Sequence, residues 1–341
     1  MRLGFGTAQA GAYPALGQVT RTWFPSSIRT VVQGLVASFS GRSGAACASI
    51  IMATFLMGWL EMTWRQALAT LTAAGVVFGI AFLMLYRKSP EDDPRVNEAE
   101  LELIREGEQT TGKPGILPFG RAFRNNTLRL LFSQQFLNAG ADIAYTSFIG
   151  AYFAAQKVDI KAFGWLVAMP FIGGALGGAF GGIANDWLIP RLGRRWARSA
   201  IGFAGKFVAA LTVFVLVQQT TPVAAGIWLL IVKFFSDWTQ PTVWGTCTDV
   251  GGKFSATIFS INNTSGNAAA FVLPPLYGML LDFYSTTHTV DGKTVRDTNF
   301  IPLFIVIAGM YLIVATAWLF IDCTKKLELT ESQTPLETSE E

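Results

Sequence analysis

A chain of 341 residues that is 51% hydrophobic and only 14% charged is too apolar for an ordinary soluble domain, in which about a quarter of residues are charged. A mean hydropathy of +0.40 fits a polytopic membrane protein, and a net charge of +3 gives no argument for a nucleic-acid partner. Three dispersed cysteines (Cys47, Cys247, Cys323) and one histidine, His288, in a stretch expected to be a polar loop, supply no disulfide framework, metal site or histidine-based catalytic centre. No cofactor and no enzymatic activity are expected.

Taken in chain order, nine apolar runs have spanning length: 3–19, 44–60, 67–86, 131–154, 164–184, 200–217, 224–246, 257–281 and 301–321. Runs of roughly 17–25 residues match transmembrane helices rather than barrel strands. The expected class is therefore an all-α membrane protein. Residues 1–86 form a first group of spans, 87–130 a polar central loop, 131–321 a six-helix bundle and 322–341 a polar, acidic tail expected to be disordered. Within the loop, Glu98–Gly107 reads as a short surface helix and Lys113–Gly120 as a hinge.

Lysine and arginine set the orientation. With the 87–130 loop inside, the inner segments hold 17 basic residues, from Arg21 to Lys326, and the outer loops hold five: Arg65, Lys157, Lys161, Lys293 and Arg296. The central loop and the C-terminus are expected to be cytoplasmic. Met1-Arg2 runs straight into apolar sequence without the basic region and cleavage site of a signal peptide. A tail inside and nine spans put the N-terminus outside, within an apolar helix, so further spans are expected upstream.

Polar residues inside such runs need a reason, since a charge near the bilayer centre costs about 2.5–3.5 kcal/mol on insertion scales. Asp186 ends one run, and Arg191, Arg194, Arg195 and Arg198 precede the next. An acid against cations between two helices makes a latch whose contacts change with conformation; the plainer alternative is that the arginines are topology anchors. Arg2, Arg42, Lys206 and Lys233 fall in or at the edges of runs. Lys206 is expected to snorkel towards the inner face. Lys233 and Asp237, four apart, are expected to pair, as a gate or beside a substrate. Arg42, among small residues in Ser-Gly-Arg-Ser-Gly, is a candidate anion contact.

Trp244, Asn263 and Asn267 are candidate substrate-binding residues. The two amides share a helical face and offer donors and acceptors to hydroxyls and carboxylates, and an indole packs on the apolar face of a sugar-like ligand. The alternative is that the asparagines bond a neighbouring helix. Asn138, Asp142 and Tyr145 form a further polar stripe, with Asp142 a candidate coupling group. The glycines Gly173, Gly174, Gly177, Gly178, Gly181 and Gly182 imply close helix packing.

These segments together resemble the anion:cation symporter branch of the major facilitator superfamily, from its fourth helix onward. Arg2–Ala15 is similar to the fourth-helix pattern, Thr22–Thr30 to the turn after it, Gly34–Ala46 to the fifth helix, and Trp64-Arg65 to the start of the sixth. SPEDDPRVNEAELELI resembles the branch's central-loop signature; Gly182, Asp186, Arg191, Gly193, Arg194 and Arg195 resemble the superfamily's cytoplasmic loop motif. Trp244, Asp249, Asn263, Gly266, Asn267, Pro274 and Gly278 follow the tenth and eleventh helices. The resemblance implies a major facilitator fold with about nine of twelve helices present, in which two bundles rock about a midplane site. It further implies a monomer in the bacterial inner membrane, whose function is secondary transport of a small organic anion, of hexuronate or sugar-acid type, coupled to protons or another cation. The branch's fourth-helix glutamate is Gln9 here, which carries no proton, and its Trp-x-Pro in the seventh helix reads Phe148-Ile149-Gly150. The alternative reading is a non-transporting membrane sensor or an inactive remnant.

Overall fold

The computed structural model describes residues 4, 6–7, 19–20, 22–25, 32, 39–105, 120, 124–290 and 293–325. The expected first span, 3–19, falls for the most part outside them, as do Arg2, Gln9 and the tail from 326 onward.

Helices dominate. In chain order they are α1 (Gly41–Ser49), α2 (Trp64–Leu85), α3 (Glu98–Arg105), α4 (Asn126–Ala155), α5 (Ile160–Leu216), α6 (Pro222–Asp237), α7 (Thr239–Gly251), α8 (Ser255–Phe283) and α9 (Ile301–Phe320). α1 continues without a break into a π-helical stretch, Ile50–Trp59. Among the described residues, Trp64–Leu85, Ile160–Leu216 and Ile301–Phe320 are long and apolar enough to cross a membrane. α4 and α8, with 30 and 29 residues, have the length as well, but they carry the polar residues discussed below.

The local signals are legible. Thr63 caps α2 in a reciprocal box with Gln66, each side chain accepting from the other's backbone N–H. α4 starts on Asn125, whose side chain accepts from the Leu128 N–H at 3.2 Å. α5 is two helices broken at Gly193, where φ is 73° and ψ 160°, a conformation strained for any residue with a Cβ. The chain reverses there: Asn185 before the break and Arg198 after it both bond Thr242, through its hydroxyl and its carbonyl. Pro241 lies three residues into α7, and without an N–H it cannot extend the ladder of α6, so α6 and α7 form one rod interrupted at Trp238.

Close approach explains the glycines. A Cβ on Gly173, Gly177 or Gly181 of α5 would strike the carbonyl oxygens of Leu230, Phe234 and Trp238, so two i, i+4 series on α5 and α6 lie backbone to backbone. Gly164 does the same for α1, since its Cβ would come within 2.6 Å of the Ser49 carbonyl oxygen. The expected polar loop around His288 is instead an antiparallel hairpin, β1 (Ser285–Val290) with β2 (Lys293–Thr298), in register from Ser285↔Thr298 to Val290↔Lys293. The threonines and valine in each segment favour the pleat.

The core has two apolar clusters stacked along the bundle. One contains Tyr145, Phe153, Val213, Leu229 and Ile307; the other contains Leu131, Phe132, Val250, Ile258 and Trp318. On α4, α8 and α9 the chain passes from one cluster to the other. α2 carries Phe78 and Leu83, each 77% exposed, a surface suited to lipid.

Candidate substrate and coupling site

Five charged side chains from four helices meet in the middle of the bundle. On α4, Asn138, Asp142 and Tyr145 follow helical spacing and face inward, with Asn138 and Tyr145 fully enclosed. On α6, Lys233, Ser236 and Asp237 share one face and are 0%, 0% and 1% exposed. The second half of α5 contributes Lys206, α9 contributes Tyr311, and α1 contributes Arg42.

Asp142 and Asp237 each hold two cations. The Arg42 guanidinium donates from Nη2 to Asp142 Oδ2 at 2.5 Å, and its Nε lies 3.1 Å from Asp237 Oδ2. Lys233 Nζ donates to Asp237 Oδ1 at 2.7 Å and to Asp142 Oδ1. Gly174 makes this possible: a Cβ there would collide with the Asp237 carboxylate and approach Arg42. Arg42 and Asp142 keep 21% and 18% of their side-chain surface exposed, so the cluster is open on their side and closed at Asp237.

Lys206 differs from the other cations. Its Nζ donates to Ser236 Oγ at 2.7 Å and to Asn138 Oδ1, both neutral, and lies 4.9 Å from the centre of the Tyr311 ring. The Tyr311 hydroxyl donates to that of Tyr145 at 3.4 Å, and Lys233 sits over the Tyr145 ring. The expectation that Lys206 snorkels is thereby corrected. Lys206 lies eight residues past Arg198, about 12 Å along a helix axis, farther than its side chain can reach, so it finds partners inside the bundle instead. The pairing of Lys233 with Asp237 is as read from their spacing.

A second ionic group forms at the end of the bundle where the arginines cluster. Arg198 is buried, with Nη2 2.8 Å from Asp249 Oδ2 and Nη1 donating to the Thr242 carbonyl at 3.1 Å. Arg194 lies 3.7 Å from Asp249 and Arg195 3.4 Å from Asp322. Asp322, just beyond α9, is desolvated, yet its carboxyl is held below its ordinary value by Thr324 and then by Arg195 and Lys325. Asp186 is not the acid that meets the cluster: its side chain is exposed and forms no ion pair among the described residues. Arg191 stacks on Trp187 at 4.0 Å and donates to its carbonyl. The α5 turn at Gly193 brings Arg194 and Arg198 against Asp249 of α7 rather than back over Asp186.

Trp244, Asn263 and Asn267 stand apart from the buried charges. Trp244 packs edge-to-face on Phe259 at 5.1 Å. Asn263 and Asn267 are exposed on one face of α8 and form no side-chain hydrogen bond to a described residue. Gln9 lies outside the described residues. Sequence reading missed the roles of Ser236 and Tyr311 around Lys206, and of Asp322 opposite Arg195; a serine, a tyrosine and a helix-terminal acid at single positions carry no spacing signal. No group of three or more metal-ligating side chains occurs among the described residues. The arrangement offers fixed charges and hydrogen bonds that can hold and exchange an anion without a covalent step.

A sequence profile of the Major Facilitator Superfamily matches residues 1–274. The chain is 26% identical over 312 residues to a probable sulfoacetate transporter of Cupriavidus necator, covering 89% of this chain and 71% of that protein. It is 26% identical to a probable galactarate/D-glucarate transporter of Bacillus subtilis, over 86% of this chain and 66% of the relative. A probable L-galactonate transporter of Escherichia coli is also 26% identical, over 85% of this chain and 63% of that protein. The chain thus spans about two thirds of the length of these relatives, each of which is named as a transporter rather than an enzyme. Helical fold, buried intramembrane charge and profile agree, and the chain belongs to the Major Facilitator Superfamily, as an integral membrane protein.

Proposed function

We propose that this protein is a secondary active transporter of a small organic anion, of sugar-acid or short sulfonate type, in the bacterial inner membrane. One observation carries the reading: Arg42 of α1 bridges Asp142 of α4 and Asp237 of α6 at a half-open, otherwise buried charge cluster. A guanidinium that is partly exposed and shared between carboxylates is a ready partner for the carboxylate or sulfonate of a substrate. The relatives' names supply the class of anion. Transport is coupled to protons or another cation, with Asp142, Lys233 and Asp237 as the groups whose pairing changes between states, and Gln9 as a position that carries no proton. Trp244, Asn263 and Asn267 contact the uncharged part of the substrate. Arg191, Arg194 and Arg195, with Asp249 in the place expected of Asp186, belong to the switch at the cytoplasmic face, the central loop and C-terminus are cytoplasmic, and the protein works as a monomer with nine spans in this chain.

The test is uptake by proteoliposomes of labelled galactarate, L-galactonate and sulfoacetate, each with and without an imposed pH or sodium gradient. Gradient-stimulated uptake of at least one, reduced by unlabelled competitor and by Arg42→Gln, is the expected result. Uptake of none of the three, in vesicles that contain folded protein, would refute the reading.

A further inference from the structure

Among the described residues, the charges around Arg42 do not balance. Arg42, Lys206 and Lys233 are cations, and Asp142 and Asp237 are the carboxylates that face them. Lys233 already contacts both carboxylates. Lys206 contacts neither directly, being held by Asn138 one turn before Asp142 and by Ser236 immediately before Asp237. Its Nζ is nonetheless fully buried, on partners that adjoin both carboxylates along α4 and α6, where charge interactions are weakly screened. Two internal lysines therefore offset the two internal carboxylates, and Arg42 is the surplus cation at the open edge.

Resting on the transport reading above, we infer that Lys206 is a positioning residue for anion recognition: it neutralises the Asp142–Asp237 pair from behind, so that the charge of Arg42 is available to the substrate. Asp142, bonded to Arg42 at 2.5 Å and partly exposed, is then the internal carboxylate with which the substrate's anionic group competes. Removing Lys206 commits Arg42 to the carboxylates and weakens anion binding. Removing Asp142 as well restores the surplus.

The experiment is equilibrium binding of labelled galactarate to the full chain in detergent, with L-galactonate and sulfoacetate as competitors and thermal unfolding as a check on folding. Lys206→Met is expected to raise the Kd roughly tenfold, the scale of one unit charge acting through a partly screened interior. Asp142→Asn is expected to lower it, and the double variant to return it to near the parent value. A structural role for Lys206 does not produce that rescue. An unchanged Kd in Lys206→Met, or a double variant no better than the single, overturns the inference while leaving the transport reading intact. If Lys206→Met does not fold, Asp142→Asn decides alone: tighter binding supports the inference and unchanged or weaker binding overturns it. If the parent chain binds none of the three anions, the transport reading fails and takes this inference with it.

Discussion

The guanidinium of Arg198 lies where the side chain of residue 245 would be: a Cβ on Gly245 would overlap it. The absence of that atom lets Arg198 lie across α7, with Asp249 at 2.8 Å and the Thr242 carbonyl at 3.1 Å. Gly245→Ala must displace the guanidinium and break both contacts. We expect a loss of about 2 kcal/mol, the usual cost of overpacking a fitted site, read as a lower thermal midpoint in detergent. An unchanged midpoint would mean that Arg198 swings aside freely and that the close fit is unimportant.

Asp249, rather than Asp186, holds the arginines at this end of the bundle. Asp249→Asn leaves buried Arg198 without a counter-ion and should slow uptake of the transported anion by at least about fivefold, the lower end of a conformational coupling energy. Asp186→Asn, which removes an exposed carboxylate without an ion pair, should stay within about twofold. Both are to be compared at matched amounts of protein in proteoliposomes. The opposite ranking would restore Asp186 as the principal acid of the switch.

Much of this architecture is written in periodicity. The glycines of α5 at 173, 177 and 181 announce a close helix partner, and Lys233 with Asp237 announce an ion pair, because both depend on spacing within one helix. What joins that pair does not. Arg42 meets Asp142 across 100 positions of sequence, and spacing holds no information on which helices become neighbours. The same holds for Asp249, which spacing cannot assign to Arg198 rather than to a substrate. Lys206 was misread because an isolated lysine in an apolar run has a generic escape, towards the interface, and its true partners are neutral residues on two other helices. The sequence does hold Asp291-Gly292 between Val290 and Lys293, a hairpin signal, but the segments on either side of it are mostly polar rather than alternating apolar, so they read as a loop.

Asp93, in the central loop, makes a pH-sensitive contact. Asp93 accepts from Arg95 Nη2 at 2.5 Å, Nε at 2.8 Å and the backbone N–H at 3.0 Å. These bonds, the side-chain ones foremost, hold its carboxyl well below the ordinary range, at about 2. Arg95 Nη2 also donates to the Leu85 carbonyl at 2.7 Å and so closes the end of α2. A lowered carboxyl stabilises the folded form above its ordinary titration range, and the contribution disappears as pH falls through that range towards the folded value. Protection of the Arg95 amide from hydrogen exchange should persist from neutral pH to about 4 and fall between there and about 2. In Asp93→Asn the protection should be low throughout, and equal protection in variant and parent would show that the amide is shielded by something else.

The orientation gives the last prediction. In the proposed orientation the basic residues of the central loop and of the Gly193 turn keep those segments on the cytoplasmic side, and five passages (α4, the two halves of α5, the α6–α7 rod and α8), an odd number, put β1 and β2 on the other. In a cysteine-free background, Thr286→Cys in the hairpin, where the native side chain is exposed, should react in intact cells with an impermeant thiol reagent. Glu98→Cys at the start of α3, also exposed, should react only after the cells are opened. The hairpin threonine and the loop glutamate are equally accessible to water, so only the membrane can separate their reactivities. Labelling of the Glu98 position in intact cells, with the Thr286 position silent, would invert the topology and place the Arg198–Asp249 contact on the outer face.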